Sequence, residues 1–121
     1  MSPLVWVGVA GLGAGGALLR FCVDGLIAGR AGRDFPFGTL LVNLSGALVL
    51  GLLVGLGVGG DQFLLEGTAT LGSYTTFSTW MFETQRLVED GQFGGAVTNL
   101  VISLVVGLGA AALGRLIGGH L

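Results

Sequence analysis

Charged side chains are scarce in this sequence, and they are unevenly spread. Asp, Glu, Lys and Arg make up 10% of the 121 residues, against about 25% in a typical soluble domain. Residues 1–19, 35–60, 67–82 and 91–114 carry no charged side chain. A helix needs roughly 20 apolar residues to cross a bilayer, and each of these runs reaches or approaches that length. The sequence therefore predicts an all-α membrane protein, with residues 1–121 forming a single domain in the lipid bilayer.

Cysteine and basic clusters are equally scarce. Cys22 is the single cysteine, so an internal disulfide is excluded and a structural zinc site cannot form from cysteine. The sequence has no basic patch, so we expect no nucleic-acid partner. The first apolar segment lacks the basic region of a signal peptide and is longer than the usual apolar core of about 7–15 residues. We interpret it as a retained helix.

Short polar turns divide the chain into four predicted transmembrane helices. We place these helices at residues 4–27, 36–58, 63–88 and 93–117. Pro36 is well suited to the first turn of the second helix, where its missing N–H would have no partner in any case. The loops are too short for anything but antiparallel neighbours, which predicts an up-down-up-down bundle.

Glycine is abundant, with 25 residues in the chain. In a soluble helix each glycine costs about 1 kcal/mol relative to alanine, whereas in lipid small residues let helix backbones approach closely. Small residues four positions apart occur at three places: Gly11 and Gly15, Gly51 and Gly55, and Gly107 and Ala111. One bundle would not use them all, which suggests that a second subunit packs against this one.

The glycine run at residues 11–16 also matches a dinucleotide-binding pattern, and Asp34 lies near the distance expected of a ribose-binding acid. That pattern has meaning only inside an alternating strand–helix unit. No later segment alternates like a strand. We therefore attribute these glycines to helix packing.

The polar groups at membrane depth are nearly all neutral. Thr39 and Asn43 lie four apart on the second predicted helix, and Asn99 and Ser103 lie four apart on the fourth. Residues 73–80 of the third helix read Ser-Tyr-Thr-Thr-Phe-Ser-Thr-Trp, directly after Gly72. An isolated membrane Ser or Thr usually bonds to its own i−4 carbonyl, but so dense a cluster predicts more. We expect a helix interrupted near Gly72, whose freed backbone carbonyls could hold a cation.

This set of hydroxyl and amide donors, without a deep carboxylate or lysine, suits a small anion. Neutral donors permit rapid passage, whereas an unpaired arginine would hold an anion tightly. Phe77 and Trp80 lie about one helical turn apart. Aromatic ring edges carry partial positive charge and can contact an anion edge-on, although the spacing alone is more typical of ordinary packing.

Three segments of the sequence resemble the Fluc (CrcB-type) fluoride channel family. The strongest is Phe-Pro-Phe-Gly-Thr-Leu-Leu-Val-Asn at residues 35–43. The second is Thr-Thr-Phe-Ser-Thr at residues 75–79, followed by Glu83, and a weaker third is Gly-Gly-Ala at residues 15–17 with Arg20. Their order and spacing fit over nearly the whole chain, as do the length and the four helices.

The resemblance implies a fluoride-selective channel in the cell (inner) membrane, built as an antiparallel dimer with two pores along the subunit interface. It implies a structural sodium ion at the centre, held by the backbone carbonyls of Gly72 and Thr75. Carried over by position, the fluoride path comprises Phe77, Trp80, Asn43, Ser78, Thr79, Thr39, Ser103 and Asn99. Arg20 and Glu83 are implied as vestibule or structural charges.

Two residues depart from the family pattern, which usually has phenylalanine at Trp80 and commonly tyrosine at Asn99. Either departure is compatible with a subunit whose pore lining is partly degenerate. The implied role is passive export of cytoplasmic fluoride, because hydrogen fluoride enters as a neutral acid and dissociates inside. The chain has no room for an ATP site, and we predict that it is not an enzyme.

Two other functions remain open. A small multidrug-type, proton-coupled exporter also has four helices, but it needs an acid deep in the first helix. Asp24 lies near the end of that helix and pairs naturally with Arg20 at i, i+4. A non-conducting structural subunit is favoured only by the departures at Trp80 and Asn99.

The arginines predict the orientation of the chain. Arg30, Arg33 and Arg86 lie at one face of the predicted bundle, and only Arg115 lies at the other. The positive-inside rule then places the first and third loops in the cytoplasm and both termini outside. Because this bias rests on few residues, we favour dual insertion of one gene product as a homodimer over pairing with an oppositely oriented homologue.

Overall fold

The computed structural model describes residues 2–32 and 34–121. In chain order the elements are α1 (Pro3–Ala31), α2 (Phe37–Gly55), α3 (Gly60–Phe63), the π-helix π1 (Leu64–Leu71), α4 (Gly72–Tyr74), α5 (Phe77–Glu89) and α6 (Phe93–Gly119). These ranges contain no β-strand, so the predicted all-α class is confirmed. Arg33, one of the residues used to predict the orientation, lies outside the described residues.

Three of these helices, α1, α2 and α6, are long and apolar enough to cross a membrane. They correspond to the first, second and fourth predicted helices, with α1 and α6 running beyond the predicted ends and α2 stopping before its predicted end. The third predicted helix is not continuous. It consists of α3, π1 and α4 in direct succession, followed by α5 after a gap at residues 75–76. The chain is a multi-pass membrane protein whose third segment is broken.

Backbone hydrogen bonds around two glycines explain where α2 and α5 end. After α2, Val58 N–H donates to Leu53 O and Gly57 N–H to Val54 O, both at 3.1 Å. Gly57 has a φ of 76°, the left-handed conformation that this Schellman motif requires. Gly91, also at φ 76°, ends α5 in the same way. The second predicted helix is therefore too long at its carboxyl end.

The tightest packing in the chain joins α2 to α6 through glycines on both helices. A Cβ at Gly51 would overlap the backbone oxygen of Ala111, and a Cβ at Gly114 would overlap that of Leu48. Because Gly118 lies in the same way against Leu52, the two helices run parallel, as the up-down-up-down arrangement requires. Such close approach is typical of helix association in lipid.

Other glycines of the predicted small-residue pairs are not packed within the chain. A Cβ at Gly11 or at Gly15 would meet no atom within 4 Å among the described residues outside its own stretch of helix, and one at Gly107 would meet only Leu44 Cδ2, at 3.9 Å. Gly16 differs, because a Cβ there would overlap the backbone oxygen of Thr70. This contact sets α1 against π1 of the broken segment.

The core of the chain is small. Among the described residues, the largest fully buried side chains are Leu87, Val42 and Asn99. Many large apolar side chains on α1, α2 and α6 are exposed, including Leu18 at 67% and Leu108 at 72%. These surfaces suit contact with lipid or with another membrane-embedded chain.

Candidate functional site

The break in the third segment lies at Thr75 and Thr76, three residues beyond the Gly72 position near which the sequence predicts it. Thr75 (φ −80°, ψ 160°) and Thr76 (φ −148°, ψ 124°) are extended, whereas Gly72 (φ −62°, ψ −35°) is helical. The hydroxyl of Thr76 accepts a hydrogen bond from Thr79 N–H at 3.3 Å. Thr76 is therefore the N-cap of α5, a position that threonine favours.

Asn43 of α2 holds the break open through both polar groups of its side chain. Its Oδ1 accepts from Thr76 N–H at 2.8 Å, and its Nδ2 donates to Thr76 O at 3.0 Å. At membrane depth, backbone groups without partners cost several kcal/mol, so this paired bond stabilises the extended backbone. For Asn43, the resemblance implied only that its side chain approaches the ion path. The bond to Thr76 uses one of its two N–H donors.

Two side-chain bonds release the carbonyls that were predicted to hold sodium. In a continuous α-helix, Thr76 N–H would bond the carbonyl of Gly72. Here that N–H donates to Asn43 Oδ1 instead. Thr79 N–H, which would bond the carbonyl of Thr75, donates to Thr76 Oγ1. Carbonyls in unwound backbone and at the carboxyl end of a broken helix are suitable ligands for sodium at membrane depth. Thr75 lies in the break and Gly72 in the last turn before it, so both fit the role.

Within residues 2–32 and 34–121, no group of three His, Cys, Asp or Glu side chains comes close enough together to hold a metal ion.

A cavity of about 550 Å³ lies beside the break. Five of the predicted site residues line it: Asn43, Gly72, Thr75, Phe77 and Trp80. The rings of Phe77 and Trp80 meet edge-to-face, with centroids 5.6 Å apart and planes at 81°. Phe77 is 70% exposed, so most of its ring edge is accessible on the surface of a single chain.

A second cavity, of about 300 Å³, lies between α2 and α6 and is also bordered by Asn43 and Trp80. Ser103 lines it as well. The Ser103 hydroxyl is buried and has no hydrogen-bond partner among the described residues. The structure thus places Ser103 of α6 on the same cavity as Trp80 of α5.

Thr39, Thr79 and Arg20 meet at a third cavity, of about 230 Å³, which Asp24 also lines. The Thr39 hydroxyl donates to the Glu83 carboxylate, which joins the start of α2 to α5. Ser78 is exposed, and its hydroxyl lies 3.5 Å from that of Thr76. These predicted residues therefore lie on the α5 side of the break.

Asn99 differs from the other predicted path residues, because its side chain is 1% exposed and packed between α5 and α6. Its Nδ2 donates to Thr84 Oγ1 at 2.9 Å, and its backbone oxygen accepts from Trp80 Nε1 at 3.3 Å. The two departures from the family pattern are therefore in contact. Sequence reasoning missed Thr84, whose one visible signal is its position four residues after Trp80.

Comparison with known proteins gives consistent results over nearly the full length. Residues 7–115 match the family described as CrcB-like protein, Camphor Resistance (CrcB). The chain is 58% identical over 111 residues to the fluoride-specific ion channel FluC 2 of Mycolicibacterium paratuberculosis, covering 92% of this chain and 91% of that protein. Identity to FluC 2 of Mycobacterium bovis is 54% over 115 residues, covering 95% and 91%. Identity to FluC 1 of Leifsonia xyli subsp. xyli is 40% over 123 residues, covering 98% and 90%.

Proposed function

This chain belongs to the CrcB family, and from that premise we propose that it is a fluoride-selective channel that passively exports cytoplasmic fluoride. The family membership confirms the resemblance seen in the sequence. The observation that carries the proposal is the exposed Phe77 side chain beside a cavity lined by neutral groups. Among the residues that the structure describes, no charged residue lines either this cavity or the one bordered by Ser103.

The proposed path uses ring edges and neutral donors in succession. Phe77 and Trp80 present C–H edges, which attract an anion weakly, and Asn43 retains one N–H donor at the border of both cavities. The buried hydroxyl of Ser103 supplies a further donor. Weak contacts of this kind permit an anion to enter and also to leave. Thr39, Ser78 and Thr79 are proposed to extend the path on the α5 side.

Arg20 and Glu83 are proposed as structural or vestibule charges near the mouth of the path. Arg20 lines the cavity that contains Thr39 and Thr79, together with Asp24. Glu83 accepts from the Thr39 hydroxyl and so is held beside the start of α2.

We propose that the conducting unit is a dimer of two antiparallel copies, with two paths along the subunit interface. The exposed ring of Phe77 and the unpacked faces at Gly11 and Gly15 support a partner chain. In this arrangement the carbonyls of Gly72 and Thr75 from both copies would hold one structural sodium ion between the broken helices. The ion would supply positive charge that binds the two copies together.

Dual insertion is proposed over a mixed pair, and the accessibility of a tag tests it. A cysteine-containing tag at the C-terminus, in a Cys22→Ala background, should react with an impermeant reagent from both sides of the membrane. Cys22 is exposed on α1, so its removal prevents background labelling. Labelling from one side alone would contradict the homodimer and require an oppositely oriented homologue.

The two alternative functions, a proton-coupled exporter and a non-conducting structural subunit, predict different behaviour in a passive efflux experiment. Asp24 lies against Gly38, in the first turn of α2, which places its carboxylate near the membrane edge rather than deep in the bundle. A proton-coupled exporter would need a proton gradient to release its substrate, and a structural subunit would release none. Purified protein in liposomes should release fluoride without either a proton gradient or ATP.

A further inference from the structure

We infer that Thr84 and Asn99 are positioning residues, which fix the indole of Trp80 at the border of the proposed fluoride path. This inference rests on the proposed function and adds to it an account of the two departures from the family pattern. It assigns a role to Thr84, which neither the sequence motifs nor the resemblance singled out.

Three hydrogen bonds form a closed ring between α5 and α6. The Trp80 indole N–H donates to the backbone oxygen of Asn99 at 3.3 Å, and Asn99 Nδ2 donates to Thr84 Oγ1 at 2.9 Å. The Thr84 hydroxyl donates to Trp80 O at 2.8 Å, which closes the ring. Asn99 and Thr84 are 1% and 8% exposed. Buried hydrogen-bond networks of this kind restrict their members to one arrangement.

The ring of hydrogen bonds determines which part of the Trp80 side chain meets the two cavities. An indole N–H is a donor only, and here it is used on Asn99 O. The parts of the indole left to border the cavities are its carbon atoms. The indole also packs edge-to-face against the Phe77 ring, with the two ring centroids 5.6 Å apart. Trp80 therefore presents the same kind of weak C–H contact that a phenylalanine would. A N–H donor pointing into the path would bind an anion more tightly and slow its exit.

The same bond accounts for the unpartnered hydroxyl of Ser103. A membrane serine usually donates to the carbonyl four residues earlier, which for Ser103 is that of Asn99. A carbonyl oxygen has two lone pairs. The helical N–H of Ser103 takes one and the Trp80 indole takes the other. Ser103 Oγ is therefore left without a partner among the described residues and lines the cavity beside Trp80, where it is available to an anion.

A protein carrying Trp6→Phe provides the test, because the chain has two tryptophans and Trp80 then becomes the only reporter. In this parent, Thr84→Val removes both hydrogen bonds of the Thr84 hydroxyl, and Asn99→Leu removes the bond from Asn99 Nδ2 to Thr84. We expect each to shift the Trp80 emission maximum and to raise its quenching by acrylamide, with the dimer elution volume unchanged. Fluoride efflux from liposomes should slow about tenfold, the effect expected from loss of one hydrogen bond. Thr84→Ser should recover most of the efflux lost in Thr84→Val, because it keeps the hydroxyl.

Thr98→Val is the matched control. Thr98 is exposed on α6, next to Asn99, and its hydroxyl donates to Gly94 O at 2.7 Å. This control should leave emission and efflux as in the parent. The inference is overturned if both test variants conduct like the parent, if efflux slows with unchanged Trp80 emission, or if both variants lose the dimer. Absence of fluoride efflux from the parent itself would instead overturn the proposed function.

Discussion

Replacing Phe77 with isoleucine should abolish fluoride efflux while leaving the assembled protein intact. Isoleucine is apolar but has no ring edge, so the weak electrostatic contact with an anion is lost. Phe77 is 70% exposed on the single chain, so within the chain the substitution removes little packing. Efflux of fluoride from liposomes and the elution volume in detergent measure the two expectations separately.

Phe82→Ile is the matched control for this substitution. Phe82 lies on the same helix and is 71% exposed, but it borders the cavity of Phe35 and Arg86 and not the aromatic pair. We expect Phe82→Ile to conduct at close to the parent rate. Normal efflux through Phe77→Ile would mean that the Phe77 ring contributes packing alone, and equal losses in both variants would mean that the effect is not specific to the path.

Replacing Asn43 with leucine should remove the break and, with it, both the sodium site and conduction. Leucine leaves Thr76 N–H and Thr76 O without the partners that Asn43 provides at 2.8 and 3.0 Å. Each buried group left without a partner costs about 1–3 kcal/mol, a large part of the ~5–15 kcal/mol that stabilises a folded protein. The parent should unfold at a higher temperature in sodium than in potassium, because a bound ion stabilises the folded state. The Asn43→Leu variant should lose that difference.

Ser45→Ala serves as the control for Asn43→Leu. Ser45 is two residues further along α2, and its hydroxyl lies 2.9 Å from Tyr74 Oη, so the substitution removes a hydrogen bond without touching Thr76. We expect the sodium-dependent stabilisation to persist in Ser45→Ala. An Asn43→Leu protein that retained both the sodium response and fluoride efflux would show that Asn43 does not maintain the break.

The membrane segments were predictable from the sequence because charge and length constrain them strongly. The uncharged run at residues 91–114 predicted a helix over 93–117, and α6 occupies Phe93–Gly119. The position of the break was not predictable to the residue. It depends on a bond from Asn43, a residue of another helix, whereas the hydroxyl cluster after Gly72 indicated only that a break lies nearby. The π-helix Leu64–Leu71 has no counterpart in the hydrophobic pattern.

The resemblance indicated candidate site residues, but it did not indicate the contacts that these residues make. The resemblance named Phe77, Trp80 and Asn43, and the structure brings all three to one cavity. It also named Asn99, but the burial of that side chain between α5 and α6 depends on how the two helices align. Trp80 and Asn99 are far apart in sequence, and no local pattern indicates that their bond exists.

Fluoride and chloride efflux from the same liposomes would show whether this chain is a fluoride-selective channel. Vesicles containing purified protein would be loaded with potassium fluoride and potassium chloride and diluted into a sodium-containing medium free of either anion. An ion-selective electrode would follow the release of each anion. A potassium ionophore would prevent the build-up of membrane potential. We expect rapid release of fluoride, with chloride release no faster than from vesicles without protein. Release of chloride at a rate comparable to fluoride, or no fluoride release above the vesicles without protein, would show that this chain is not a fluoride-selective channel.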